Sequence, residues 1–338
     1  MDELSLLREM RDRTPIATDA AIDRGRTKLL QGIDPHAVKL QKNPRRRMAM
    51  RWGLVSAATA LVAGLLVGGD VFGPGPLRGA ATAQAAEVLN AAAETTIQTA
   101  DLVPGPGQYL KIQSTNMWGS AAVTADGSEY EWLDTEKSAM YIPANREEEW
   151  VWERSGRIPT TYFDEKSKEY ASSMEPAEAY VLRGNNGGFY GTPSEQSSFP
   201  SQDALATFPR DPNALLAEIQ RQTNRKGQSK DGEALVFIAD LLRTGIVPAD
   251  LRAALYKSAA LIPGVTVTDE QATLDGRKGI AIGRVETASN RRQDIIIDPK
   301  TGLLIGEREV LTEPRGSIPA GTATTWTAIE TTISETAP

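Results

Sequence analysis

Between Trp52 and Gly69 the chain runs for 18 residues, WGLVSAATALVAGLLVGG, without a charge, bounded by Arg51 and Asp70. As an α-helix rising about 1.5 Å per residue it would be roughly 27 Å long, slightly under the ~30 Å hydrocarbon core of a bilayer. Snorkelling by Arg51 and local thinning of the bilayer close that gap. Three features favour a membrane span over a buried soluble helix: apolar residues on every face, abundant Gly and Ala, and the basic cluster Arg45, Arg46, Arg47 and Arg51 directly before the run. The positive-inside bias then puts residues 1–48 in the cytoplasm as an arm, 49–69 in the cell membrane as a single pass, and everything from about 70 onward outside.

A cleaved signal peptide is the competing reading, because Ala81-Thr82-Ala83 and Ala83-Gln84-Ala85 match the small-x-small cleavage pattern. The arm of about 50 residues before the apolar run is too long for that class, so a retained signal anchor is expected. Within the span Ser56, Ala60, Gly64 and Gly68 recur every fourth residue, and Gly64–Gly68 forms a GxxxG. Small residues on one face allow close helix approach, and hence a homodimer through the span. An Ala/Gly-rich composition produces the same pattern without any such role.

Charge divides at the same boundary. Residues 1–51 hold 12 Lys/Arg against 7 Asp/Glu, whereas 52–338 hold 25 against 37. The overall balance of −7 excludes a dedicated nucleic-acid binder. There is no cysteine, and the single histidine, His36, lies in the arm. The external part therefore cannot build a Ser-His-Asp triad, a histidine-based zinc site or a cysteine nucleophile. No carboxylate pair stands out by spacing. Glu147-Glu148-Glu149 reads as a solvated strand edge, and Asp298 as a turn former. No catalytic, metal-binding or cofactor-binding residue is nominated, and a non-enzymatic protein is expected.

The arm carries two short amphipathic helices, Asp2–Arg13 and one entering at Thr18 with Ile22, Leu29, Leu30 and Ile33. That is too little apolar surface for a core of its own, so the arm suits docking on a cytoplasmic protein. Residues 70–79, DVFGPGPLRG, form a Gly/Pro-rich linker.

Residues 80–338 read as one α+β domain. A helix over Ala80–Thr99 precedes strands at Tyr109–Ser114, Glu129–Asp134, Ser138–Pro143, Glu147–Arg154 and Ile158–Phe163. Nine of the chain's 20 aromatic residues fall between 109 and 163. Tyr130 and Trp132 share one strand face, as do Trp150 and Trp152. Such pairs build a core, or else line a groove for a lipid or another apolar ligand. Residues 171–210 read as a long loop. A helical insert follows, with helices from Asp211-Pro212, over Asp231–Arg243 and over Pro248–Ile262. A meander with turns at Asp275-Gly276 and Asp298–Gly302 closes the domain.

The opening MDELSLLREMRDRTP, the arginine-flanked span, LRAALYKSAALIPGV at 251–265, DGRKGIAIGR at 275–284 and DPKTGLLIGER at 298–308 resemble an uncharacterised family of actinobacterial single-pass membrane proteins. The layout is anti-sigma-like, without the His/Cys zinc motif common in anti-sigma domains. The resemblance implies an envelope sensor that passes a signal to a cytoplasmic partner such as a sigma factor. The order of elements is also similar to the antiparallel half-barrel of lipoprotein carriers and of periplasmic sensors that regulate anti-sigma factors. The alternative to a sensor is a membrane-tethered binding module for lipid or another apolar envelope ligand.

Overall fold

The computed structural model describes residues 80–191, 199–224 and 226–338. The arm, the span with Ser56, Ala60, Gly64 and Gly68, and the linker lie outside the described residues. Among the described residues no helix is long and apolar enough to cross a membrane.

Helix α1 (Ala83–Gln98) begins at Thr82, whose hydroxyl accepts the Ala85 amide at 3.3 Å. Its buried stripe is Ala85, Leu89, Ala92, Ala93 and Thr96, mostly small side chains that permit close helix contact. Both small-x-small tripeptides fall at this helix start. The Ala81 and Thr82 amides bond the carbonyls of Ala260 and Val265, which ties the segment into the fold.

The strands are β1 (Tyr109–Val123), β2 (Glu129–Pro143), β3 (Glu149–Arg154), β4 (Ile158–Tyr162), β5 (Tyr180–Asn185), β6 (Thr266–Leu274), β7 (Arg277–Glu286), β8 (Arg291–Ile297), β9 (Leu304–Leu311) and β10 (Ala323–Ser334). They form one open, antiparallel sheet in the order β5-β3-β2-β1-β10-β9-β8-β7-β6, with β4 paired to β2 beside β3. This is an α+β fold in which the sheet does not close on itself, consistent with a half-barrel.

The remaining helices are α2 (Glu165–Ser172), α3 (Gln202–Thr207), α4 (Pro212–Gln222), α5 (Lys230–Leu242) and α6 (Ala249–Ala259). Helices α1, α4, α5 and α6 cover one sheet face. Their side chains share a core with Leu110, Ile112, Met140, Ile142, Ile282, Ile295, Ile297 and Ile329 from the strands. Burial of these aliphatic groups, at about 25 cal/mol per Å2 of apolar surface, is the main force holding helices to sheet. Smaller clusters around Ala281 and Ile296, and around Tyr141 and Val151, sit on the other face.

The expected helical insert and the meander are both present. Asp275 (φ 49°) and Gly276 (φ 77°) both take the left-handed conformation that a two-residue hairpin turn requires. Two expectations need correction. The passage 171–210 is not one loop, since it contains β5, a 3-10 turn at Phe189–Gly191 and α3. The two strands expected at Glu129–Asp134 and Ser138–Pro143 are one strand, β2. The intervening Glu136 is 3% exposed and bonded by Arg154 at 2.7 Å, so polarity there does not mean a turn.

Candidate functional site

Where α3 and the segment after α5 approach the middle of the sheet, they leave a groove of about 950 Å3. Its floor is aliphatic: Leu110 from β1, Ile329 from β10, Leu304 from β9, Leu242 from α5, and Ile246 and Val247 beyond it. At the mouth stand Leu102, Val103 and Leu303, which are 47%, 81% and 37% exposed. Large apolar side chains left this open beside an apolar cleft mark a surface suited to a ligand or partner.

Turns and loops build the rim. The Asp298–Gly302 turn is held by Asp298, which accepts from the Lys300 amide (2.9 Å) and the Thr301 hydroxyl (3.1 Å). Gly302 cannot carry a side chain there. Its φ is +65°, and a Cβ would lie 2.5 Å from the Ala92 carbonyl of α1. Asp101, in the loop after α1, accepts the Ala249 amide at 2.9 Å and caps α6 from a distance, because Pro248 offers no side-chain acceptor. The same carboxylate takes Arg252 at 2.9 Å.

Charge in the groove runs opposite to that of the chain. Six Arg or Lys side chains line it against three carboxylates, on a protein whose net charge is −7. Three of the cations are structural. Arg252 bonds Asp101, Thr96 and the Val247 carbonyl. Arg210 bonds Asp250 at 2.7 Å and two carbonyls, and holds the Asp250 carboxyl below its ordinary range. Arg277 donates to the carbonyls of Ile305 and Ile329. The other three, Arg146, Lys278 and Lys300, have no side-chain partner among the described residues. Lys278 and Lys300 are exposed, but Arg146 is half-buried, and burial pushes its guanidinium below the usual arginine value.

None of the four aromatic residues singled out in the sequence lines this groove. Tyr130 stacks on Tyr170 of α2 with centroids 4.2 Å apart, and Trp132 packs at 6.0 Å from the same ring while donating to Asp134. Trp152 lies 5.5 Å from Phe189 and beneath the Arg154 guanidinium. Trp150 is 3% exposed, meets Phe199 edge-on, and donates its indole N–H to the Arg146 carbonyl at 2.8 Å. It thereby fixes the turn between β2 and β3 that presents Arg146. Reading the sequence alone missed Arg146, which abuts the Glu147–Glu149 run and passes as part of a solvated edge.

Among the described residues no three Asp, Glu or His side chains are placed to hold a metal ion. The most buried acid near the helices, Glu307, pairs with Arg243 of the α5 C-terminus and Gln293 of β8; burial raises its carboxyl above the ordinary value.

No family model matches the chain, and none of the curated proteins matches it. Among solved structures, the MucA/MucB complex of Pseudomonas aeruginosa is similar at 10% identity and a TM-score of 0.27, over 76% of this chain and 59% of that one. MucB alone gives 11% identity and the same TM-score, over 76% and 60%. A DUF1329 family protein from Desulfovibrio piger gives 9% identity and 0.18, over 73% and 92%. The chain thus spans about three fifths of the length of the MucB chains it matches. Superpositions this loose do not define a function.

Proposed function

We propose that this chain is a non-enzymatic, membrane-anchored envelope protein whose folded part binds a lipid or other apolar ligand in the groove. The observation that carries this reading is the aliphatic floor of the groove together with the exposed Leu102, Val103 and Leu303 at its mouth. An open sheet with helices seated on one face, of the kind lipoprotein carriers use, supports it.

The arm supports the regulatory half of the proposal. Residues 1–48 have too few apolar side chains for a core and two amphipathic segments, which suits a cytoplasmic partner such as a sigma factor. Ligand in the external groove would then be the signal and the partner at the arm the output.

The test uses the full chain in zwitterionic bilayers, irradiated with photoactivatable hexadecyl probes, with labelled peptides mapped by mass spectrometry. Saturable labelling of the Leu242–Val247 and Ile329 peptides is expected. Labelling confined to the span would overturn the binding reading. A reporter active only outside the cytoplasm should work after Pro338 and stay silent near Lys42; the reverse would overturn the topology.

A further inference from the structure

We propose that the ligand of the groove is an anionic amphiphile, with its chain along the aliphatic floor and its headgroup on Arg146. This rests on the apolar-ligand reading and adds the charge and the anchoring residue.

Arg146 differs from the other groove arginines in kind. Arg210, Arg252 and Arg277 each donate to at least two protein acceptors. The Arg146 side chain has no partner among the described residues, yet it is half-buried. A guanidinium offers five N–H donors in a planar fork that fits a phosphate or carboxylate with two parallel bonds. Withdrawing it partly from water with no counter-ion among the described residues is unfavourable, and a bound anion would relieve that cost. Its backbone is already held by Trp150, so little ordering remains to be done on binding.

Strand register puts the unpaired cations at one end of the sheet. Tyr109 of β1 pairs with both Pro143 and Ser334, which places the turn carrying Arg146 beside the end of β10. Ile297 pairs with Leu304 and Leu274 with Arg277, so the turn bearing Lys300 and the start of β7 with Lys278 lie at that same end. The three cations are therefore spread along one rim of the sheet, Arg146 beyond β2 and the lysines on the β6–β9 side, so a headgroup seated on Arg146 would feel the lysines only at longer range. Of the three carboxylates that line the groove, Asp101 and Asp298 are engaged within the protein; Glu330, like Glu147 next to Arg146 in the chain, has no side-chain partner among the described residues. The volume, about 950 Å3, also exceeds what a bare inorganic anion needs and is at the upper end for small-ligand sites.

The test compares photoactivatable hexadecyl phosphate with photoactivatable hexadecanol on the full chain in zwitterionic bilayers. Arg146→Gln should weaken half-saturation of groove labelling by the phosphate roughly tenfold, the effect of losing one charge-assisted contact, while hexadecanol shifts by less than about twofold. Arg146→Lys should recover part of the loss, and Lys278→Gln with Lys300→Gln should cost the phosphate about two- to threefold. Equal losses for both probes, no loss for either, or full competition by inorganic phosphate alone would overturn the proposal. If neither probe labels the groove in the parent, the apolar-ligand reading itself fails. Unchanged thermal melting of each variant separates these outcomes from misfolding.

Discussion

The two wings of the sheet solve the same problem with different materials. Strands β6–β9 bury their inner face under α4–α6 with Ile and Leu side chains. Strands β2–β5 depend far more on aromatic rings: Tyr130 on Tyr170, Trp152 on Phe189, and Arg154, paired with Glu136, against two aromatic faces. Each wing also holds a buried carboxylate clasped by two arginines. Asp294 is 0% exposed and bonds Arg292 (2.8 Å) and Arg308 (2.9 Å); Glu136 is 3% exposed and meets Arg154 (2.7 Å) and Arg157 (3.6 Å). The difference lies in the second arginine: Arg154 is as covered as Arg292 and Arg308, but Arg157 is nearly half exposed. Loss of the carboxylate would leave one covered arginine in the aromatic wing, since water already reaches Arg157, and two in the aliphatic wing.

That contrast can be broken most decisively by deleting the two carboxylates. Asp294→Ala should destabilise by about 3–5 kcal/mol, since it strands two covered guanidinium groups. Glu136→Ala should cost about 1.5–3 kcal/mol, the value of a charged hydrogen bond. Urea denaturation measures both, and an equal or larger cost for Glu136→Ala would remove the distinction between the wings.

A second test sharpens it through pH. Burial raises the Glu307 carboxyl of the aliphatic wing above its ordinary value, and Arg243 only partly offsets this. The folded state therefore holds this proton to higher pH than the unfolded chain does. Stability from Glu307 is greatest below the unfolded value of about 4.5 and is lost as pH rises through the raised folded value. Asp240, raised by burial beside the same arginine, acts in the same direction. Glu307→Gln should flatten the decline in denaturation midpoint above about pH 4.5; an unchanged slope would show that Glu307 is not its source.

The smallest expected effect belongs to Trp150→Phe in the aromatic wing. Losing the bond to the Arg146 carbonyl should cost about 1 kcal/mol of stability. If Trp150 positions Arg146, the same variant should also weaken hexadecyl phosphate labelling more than hexadecanol labelling.

Legibility in the sequence follows the same division. The aliphatic wing was readable because its helices show a clear apolar stripe and its hairpins carry Asp-Gly and Asp-Pro-Lys-Thr-Gly turns. In the aromatic wing, α2 is eight residues, EKSKEYAS, with too few apolar positions to show a period. Strand β5, YVLRGN, is an edge strand with no fully buried side chain, so its sequence shows no clear alternation of apolar and polar residues. The groove was not readable either. Its floor comes from segments as distant as Leu110, Leu242 and Ile329, and the isolation of Arg146 is a property of space rather than of spacing.

The pairing of β1 with β10 has a consequence for how the protein is made. These central strands are more than two hundred residues apart, Tyr109 against Ser334. While the chain is being synthesised, β2–β5 can assemble on β1, and later β6–β9 on one another. The two wings stay unjoined until residues 323–334 have been made and fill the gap between them. Contacts of such long range fold slowly, and until then β1 and β9 each present an unpaired strand edge. The final strand is thus a keystone, and the half-built sheet is the state in which the chain is most exposed to proteases and to mispairing with its neighbours.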